Sequence, residues 1–264
     1  MQTPIDYLHH LSRESARFGE VARDLPGGVR VPSCPDWDAD DLLWHLGCVQ
    51  RFWGTVVRDG LTGAQVEQTK TARPPDHAAL LDFYEESSRR LAGALAAASP
   101  EDPAWTWSDD QSVGFIRRRQ VHEALMHRVD AEEAAGARTA MDPVLSADGV
   151  DEALRVLYCG VPDWGTFTPD GGRRVRLLTA DTGDSWLIDL GRFTGTDPEG
   201  TFCDEVDIHI ADAAVADEAS ATVTADAADF DCWLWHRSLV GKIEFSGAED
   251  VLRDFQSVIA RGLG

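Results

Sequence analysis

Two predicted amphipathic helices place chemistry-bearing side chains where only apolar ones are expected. One stripe carries Leu42, His45, Val49, Phe52, Trp53 and Val56; the other carries Ile116, Gln120, Glu123, His127, Ala131 and Ala134. Steps of three and four residues keep each set on one helical face. The chain is thereby constrained to helices that turn imidazole and carboxylate groups toward a shared interior. Such groups are costly to bury unless paired, hydrogen-bonded or bound to a cation. Glu123 and His127, four apart, can converge on one point, and His45 must join them from a separate helix. Two histidines and a glutamate inside a helix bundle suit a divalent metal with one coordination position left open. The same residues also fit a plainer arrangement, a buried Glu–His ion pair satisfied by ordinary hydrogen bonds.

His122-Glu123 followed by His127 superficially resembles a zinc-protease helix, which needs histidines four apart. His122 and His127 are five apart, about 140° around an ideal helix, whereas Glu123 and His127 are about 40° apart. Zinc is the simplest occupant, and mixed nitrogen and oxygen ligation also admits nickel, iron, cobalt or manganese. His9, His10 and His77 fall in polar helix-end settings and are expected to be solvated. His209 lies in a Val-Asp-Ile-His-Ile alternation typical of a strand.

The 264 residues carry a formal charge of −22, which repels phosphate backbones and argues against nucleic-acid binding. No signal-like apolar run occupies the first ten residues, and the longest small or apolar stretch, Leu91 to Ala98, is far too short to span a bilayer. The five cysteines (Cys34, Cys48, Cys159, Cys203 and Cys232) are scattered and odd in number, as expected of reduced thiols in the cytoplasm.

Helices are predicted from about Pro4 to Asp24, from an Asp38 N-cap to about Arg58, from about Asp76 to Ala98, and from about Gln111 to a C-terminal Gly136. The Pro/Gly-rich stretch from Leu25 to Pro35 is expected to be loop. The polar stretch from Asp59 to Pro75 is long enough for a crossover. After Pro143 the pattern changes. Leu145 to Tyr158 is expected to be a helix, Arg173–Ala180 and Ser185–Leu190 a hairpin about Asp181-Thr182-Gly183-Asp184, and Ala219–Ala225 a strand. Phe230–Leu239 and Glu249–Ala260 are expected to be helices, with a short strand at Lys242–Phe245 between them. Helices first and strands later give an α+β chain: a bundle over residues 1–143 and a smaller α+β domain over 144–264.

Several segments carry a family resemblance. They are Val31-Pro-Ser-Cys-Pro-Asp-Trp37 with Asp40-Asp-Leu-Leu-Trp-His-Leu-Gly47; Trp107 with Asp110-Gln-Ser-Val-Gly-Phe115; Arg118-Arg-Gln-Val-His-Glu-Ala-Leu-Met-His-Arg-Val-Asp130; Asp148-Gly-Val-Asp-Glu152; and Cys232-Trp-Leu-Trp-His-Arg237. Together they resemble the mycothiol-dependent maleylpyruvate isomerase family of actinobacteria. The resemblance implies a DinB-like four-helix bundle followed by a domain similar to sterol carrier proteins. It also implies zinc held by His45, Glu123 and His127, and mycothiol, a low-molecular-weight thiol, as cofactor or cosubstrate.

The implied substrate is a small electrophile, an anionic cis-enoyl acid in the family's isomerases. Arg237 is the loose match for the family's substrate-binding arginine, with a helix-surface ion pair as its plainer role. Arg117, Arg118 and Arg119 are a second source of cation. Trp37, Trp53, Trp105 and Trp107 are candidates for pocket walls or for core, and Cys34 and Cys48 for packing. Trp44 stands where a smaller residue is expected, and His236 where the family often has glycine. Three functions stay open on the sequence: a thiol-dependent isomerase, a mycothiol S-transferase of detoxification or natural-product assembly, and a noncatalytic small-molecule-binding protein.

Overall fold

The computed structural model describes residues 5–68, 71–211 and 218–262. The chain divides into two compact units, Met1–Ala140 and Met141–Gly264.

Four long helices build the first unit: α1 (Tyr7–Asp24), α2 (Ala39–Asp59), α4 (His77–Ala97) and α5 (Val113–Ala135), with a short α3 (Gly63–Glu67) in the crossover. Their ends follow from local chemistry. Asp38 and Asp41 form a reciprocal capping box at the start of α2, satisfying N–H groups that have no partner within the helix. Ser112 caps α5, and Gly136, at φ 63°, closes it in the left-handed region. Helix α1 packs on α4 and α5, and α2 packs on the same two, giving a four-helix arrangement. The α2–α4 approach is close enough that a Cβ on Gly54 would lie 3.1 Å from the Leu91 backbone. Phe18, Leu42, Leu43, Leu46, Leu80 and Tyr84 fill the interior.

The first unit departs from the sequence expectations in two places. The stretch from Leu25 to Pro35 is not wholly loop: β1 (Arg30–Val31) and β2 (Cys34–Asp38) pair as a small antiparallel hairpin that runs directly into α2. Helix α5 is buried on nearly every face, and not along one stripe. It tolerates this because its charges are paired. Arg128, 2% exposed, donates through Nε to Glu14 Oε2 and through Nη1 to Glu132 Oε2, each at 2.8 Å, and Arg17 Nε reaches Glu132 Oε1 at 2.8 Å.

The second unit opens with α6 (Pro143–Glu152), which passes into a π-helical turn (Ala153–Tyr158). Five strands follow: β3 (Gly165–Thr179), β4 (Ser185–Thr196), β5 (Phe202–Ile210), β6 (Ala221–Ala225) and β7 (Glu244–Gly247), with α7 (Ala227–Leu234) before β7 and α8 (Glu249–Ile259) after it. The sheet order is β5-β4-β3-β6-β7, with β3 and β6 parallel and the other neighbours antiparallel. Val175, Leu177, Ile188, Leu190 and Val223 alternate inward and meet Leu154, Phe230 and Phe255. The alternation around His209 forms the second half of β5 as expected, whereas the start of β5 and the first half of β3 were not anticipated, and the helix expected over Phe230–Leu239 stops at Leu234. His236 explains the stop. It lies at φ 57°, in the left-handed region, with its ring Nε2 2.7 Å from the Ile259 carbonyl, and a helix cannot continue through that conformation. No helix among the described residues is long and apolar enough to cross a membrane.

Candidate metal centre

Helix α2 carries His45, and α5 carries Glu123 and His127 one turn apart. Their donor atoms all lie within 4.8 Å of one another. Glu123 Oε1 is 3.4 Å from His45 Nε2 and 3.2 Å from His127 Nε2. Among the described residues no other group of three His, Cys, Asp or Glu side chains converges in this way.

Both contacts satisfy a buried Glu–His pair, and both also approach the spacing of ligands around one ion. Charge-assisted N–H···O bonds close to about 2.7–2.9 Å, and both contacts to Glu123 are longer. Ligand atoms bound about 2.0–2.1 Å from a tetrahedral ion stand about 3.3 Å apart along each edge, close to both observed values. The donor set also suits a divalent cation: two imidazole nitrogens and one carboxylate oxygen, all borne on packed helices. The residues fit the group.

The surroundings orient each donor. His127 Nδ1 donates to Asp130 Oδ2 at 2.9 Å; between two carboxylates the protonated ring also donates through Nε2 to Glu123, and loss of that proton to a cation would leave the Nε2 lone pair facing Glu123 and His45. Arg119, 5% exposed, donates through Nη2 to Glu123 Oε2 at 2.8 Å. Burial works against a charged Glu123, but hydrogen bonds from His127 and His45 and the Arg119 guanidinium hold its carboxyl well below the usual carboxylate range. Burial likewise disfavours protonated His127, yet Asp130 and Glu123 outweigh it and push its pKa up to about 9. The Trp37 indole lies against both imidazoles, its centroid 4.7 Å from His45 and 6.2 Å from His127.

The remaining candidates separate. Of the three consecutive arginines, Arg119 reaches the cluster, while Arg117 donates to the Leu95 and Ala98 carbonyls at the end of α4. Arg237 belongs to the second unit, in the turn after α7, and donates to the Trp235 carbonyl at 2.6 Å. Trp53 stacks on Trp105, and Trp107 is half-exposed against Phe115. Burial pushes the Cys48 thiol up to about 11, a poor nucleophile at neutral pH. His77 is paired, not merely solvated: its Nδ1 lies 2.7 Å from Asp40 Oδ1. The stripe pattern missed Arg119, Asp130 and Trp37. The first two were legible from their i−4 and i+3 spacing to the ligands; Trp37 needed the hairpin.

A helical unit followed by a mixed-sheet unit is a fold this chain shares with a mycothiol-dependent maleylpyruvate isomerase. Two crystal structures of that enzyme, one of them a histidine-to-alanine variant, superpose with TM-scores of 0.57 and 0.58 at 12% identity, each match covering 91% of this chain and 92% of the other. No curated protein sequence matches the chain. The family profile of the mycothiol maleylpyruvate isomerase N-terminal domain matches residues 8–132, and that of the MDMPI C-terminal domain matches residues 144–253. The chain belongs to the mycothiol-dependent maleylpyruvate isomerase family, a family of enzymes.

Proposed function

We propose that this protein is a divalent-metal- and mycothiol-dependent isomerase of small anionic cis-enoyl acids. The convergence of His45 Nε2, Glu123 Oε1 and His127 Nε2 carries the reading. A divalent ion held by these three, zinc being the simplest, supplies the positive charge that lets a thiol lose its proton at neutral pH.

The chain's own residues supply the rest. As a set of three ligands, His45, Glu123 and His127 would leave one position of a four-coordinate ion to the incoming thiol. Arg119 and Asp130 keep the glutamate ionised and the His127 lone pair turned inward. Arg237 serves as the cation for a substrate carboxylate, a need made acute by the formal charge of −22. The thiolate sulfur forms a bond to one carbon of the activated double bond, and the electron pair moves to the adjoining carbonyl. The former double bond is then single and rotates. Loss of the same sulfur restores the double bond in the trans geometry and returns the thiol unchanged. The five cysteines are free, in keeping with a reducing compartment, the cytoplasm.

The test is incubation of the zinc-loaded protein with mycothiol and maleylpyruvate or a related cis-enoyl acid. Trans product with free thiol regenerated supports isomerisation. A stable S-conjugate would make the protein a transferase built on the same site. Purified protein that holds less than about 0.1 equivalent of transition metal and takes up no added zinc would overturn the metal reading.

A further inference from the structure

The segment Val31–Trp37 carries part of the family resemblance, yet no residue in it belongs to the His-Glu-His cluster. Its place in the fold supplies a role. The segment forms most of the β1–β2 hairpin, with Arg30 opposite Asp38 and Val31 opposite Cys34. Val31 is fully buried in the bundle core beside Leu42, Leu43 and Leu46, and so fixes the hairpin to the helices.

Two other side chains of the hairpin reach the cluster by different routes. Ser33 donates from Oγ to Asp130 Oδ1 at 2.5 Å, and the other oxygen of Asp130 accepts from His127 Nδ1 at 2.9 Å. Trp37 lays its indole against the ring of His45 at a centroid distance of 4.7 Å and an interplanar angle of 42°. One short stretch of chain therefore holds both imidazoles from outside, one through a hydrogen-bond chain and the other through a ring face.

We infer that the β1–β2 hairpin is the positioning element of the metal centre, with Ser33 and Asp130 setting the tautomer and direction of His127 and Trp37 setting the ring plane of His45. The inference rests on the reading of His45, Glu123 and His127 as a divalent-metal site. Asp130 is 0% exposed, and a buried carboxylate is costly unless its oxygens are engaged; here one binds the hairpin and the other the ligand. His45 has the most exposed side chain of the three, at 34% against 16% for Glu123 and 8% for His127. Its imidazole torsion is intrinsically broad, and the Trp37 face narrows it. Partners of this kind set ligand orientation, and their loss typically lowers metal affinity about 10- to 100-fold.

The experiment measures zinc affinity of the full-length chain by competition with a chromophoric chelator, together with the cobalt(II) absorption spectrum and the thermal unfolding of each metal-free protein. Asp130→Asn and Trp37→Leu are expected to bind zinc about tenfold or more weakly and to show an altered cobalt spectrum. Trp37→Phe, which restores an aromatic face, should recover affinity to within about threefold of the wild type, and Ser33→Ala should lie between. If Asp130→Asn does not fold, the Trp37→Leu and Trp37→Phe pair decides. Folded variants with wild-type affinity and wild-type cobalt spectra would reduce the hairpin to a structural tie and overturn the inference while leaving the metal site intact. A wild-type chain that takes up no zinc would overturn the metal site itself, and the inference with it.

Discussion

Arg119 Nη2 stands 2.8 Å from Glu123 Oε2, so one oxygen of that carboxylate is committed to a buried guanidinium and the other is turned toward His45 and His127. Arg119→Met should leave Oε2 without its cation. Breaking a buried pair from one side costs about 3–5 kcal/mol, and Glu123, 16% exposed at its side chain, places the loss near the lower figure. Zinc affinity should fall at least about tenfold. Chemical denaturation and chelator competition measure the two effects separately.

The ligands and the substrate cation should separate by mutation. His45→Ala and His127→Ala should each lose metal and turnover together. Arg237→Ala should retain full metal content and raise KM for an anionic substrate with little effect on a neutral electrophile. Metal analysis beside steady-state kinetics checks both. A His127 variant with full metal content would contradict the ligand assignment.

The metal-free protein should respond to pH through His127, whose pKa is raised from 6.5 to about 9. The stability contributed by this raised value is fully present below pH 6.5 and is lost as pH rises through about 9. The metal-free Tm should therefore decline across that window. Zinc affinity should climb across it, because the ion must displace the proton. Thermal unfolding with and without zinc between pH 6 and 9 measures both slopes.

Arg128 bridges Glu14 and Glu132 inside the bundle. Arg128→Met should strand buried carboxylate oxygens and destabilise the first unit by about 3–5 kcal/mol. Zinc binding by the protein that remains folded should stay near wild type, because no side chain of the ligand set bonds to Arg128.

His236 sits in the left-handed region at φ 57° and is held by the Ile259 carbonyl. His236→Ala loses the hydrogen bond and keeps the backbone conformation, so it should cost about 1 kcal/mol. His236→Gly should recover much of that loss, because glycine adopts this conformation without a Cβ penalty. Denaturant midpoints of the two variants compare them directly.

The parts legible in the sequence are those governed by local rules. The Asp38–Asp41 cap, the Gly136 terminus and the Asp181–Asp184 hairpin each declare themselves within a few residues. The three clustered residues stood out because each broke an apolar stripe. The β1–β2 hairpin did not, since Pro32 and Pro35 mark a loop and its two short strands are held by packing of Val31 and not by strand propensity. Strand β5 was legible in its second half, from the alternation about His209, while its start was hidden for a related reason. Cys203-Asp-Glu-Val-Asp207 is acidic and lies on a sheet edge, where only one side of the strand needs a partner. The all-round burial of α5 was also out of reach, because Glu14 and Arg17, which neutralise its charges, are more than a hundred residues away in the chain.

Helix α5 bears two of the three clustered residues and, within the next turn and a half, the buried Arg128–Glu132 pair that ties it to α1. The ion and the fold thus share a single axle. Heating should release both in one transition, with no warm intermediate that has dropped its cargo yet kept its shape. Inherited change toward new substrates then has little freedom along this rod, and must be written into the segments that flank it.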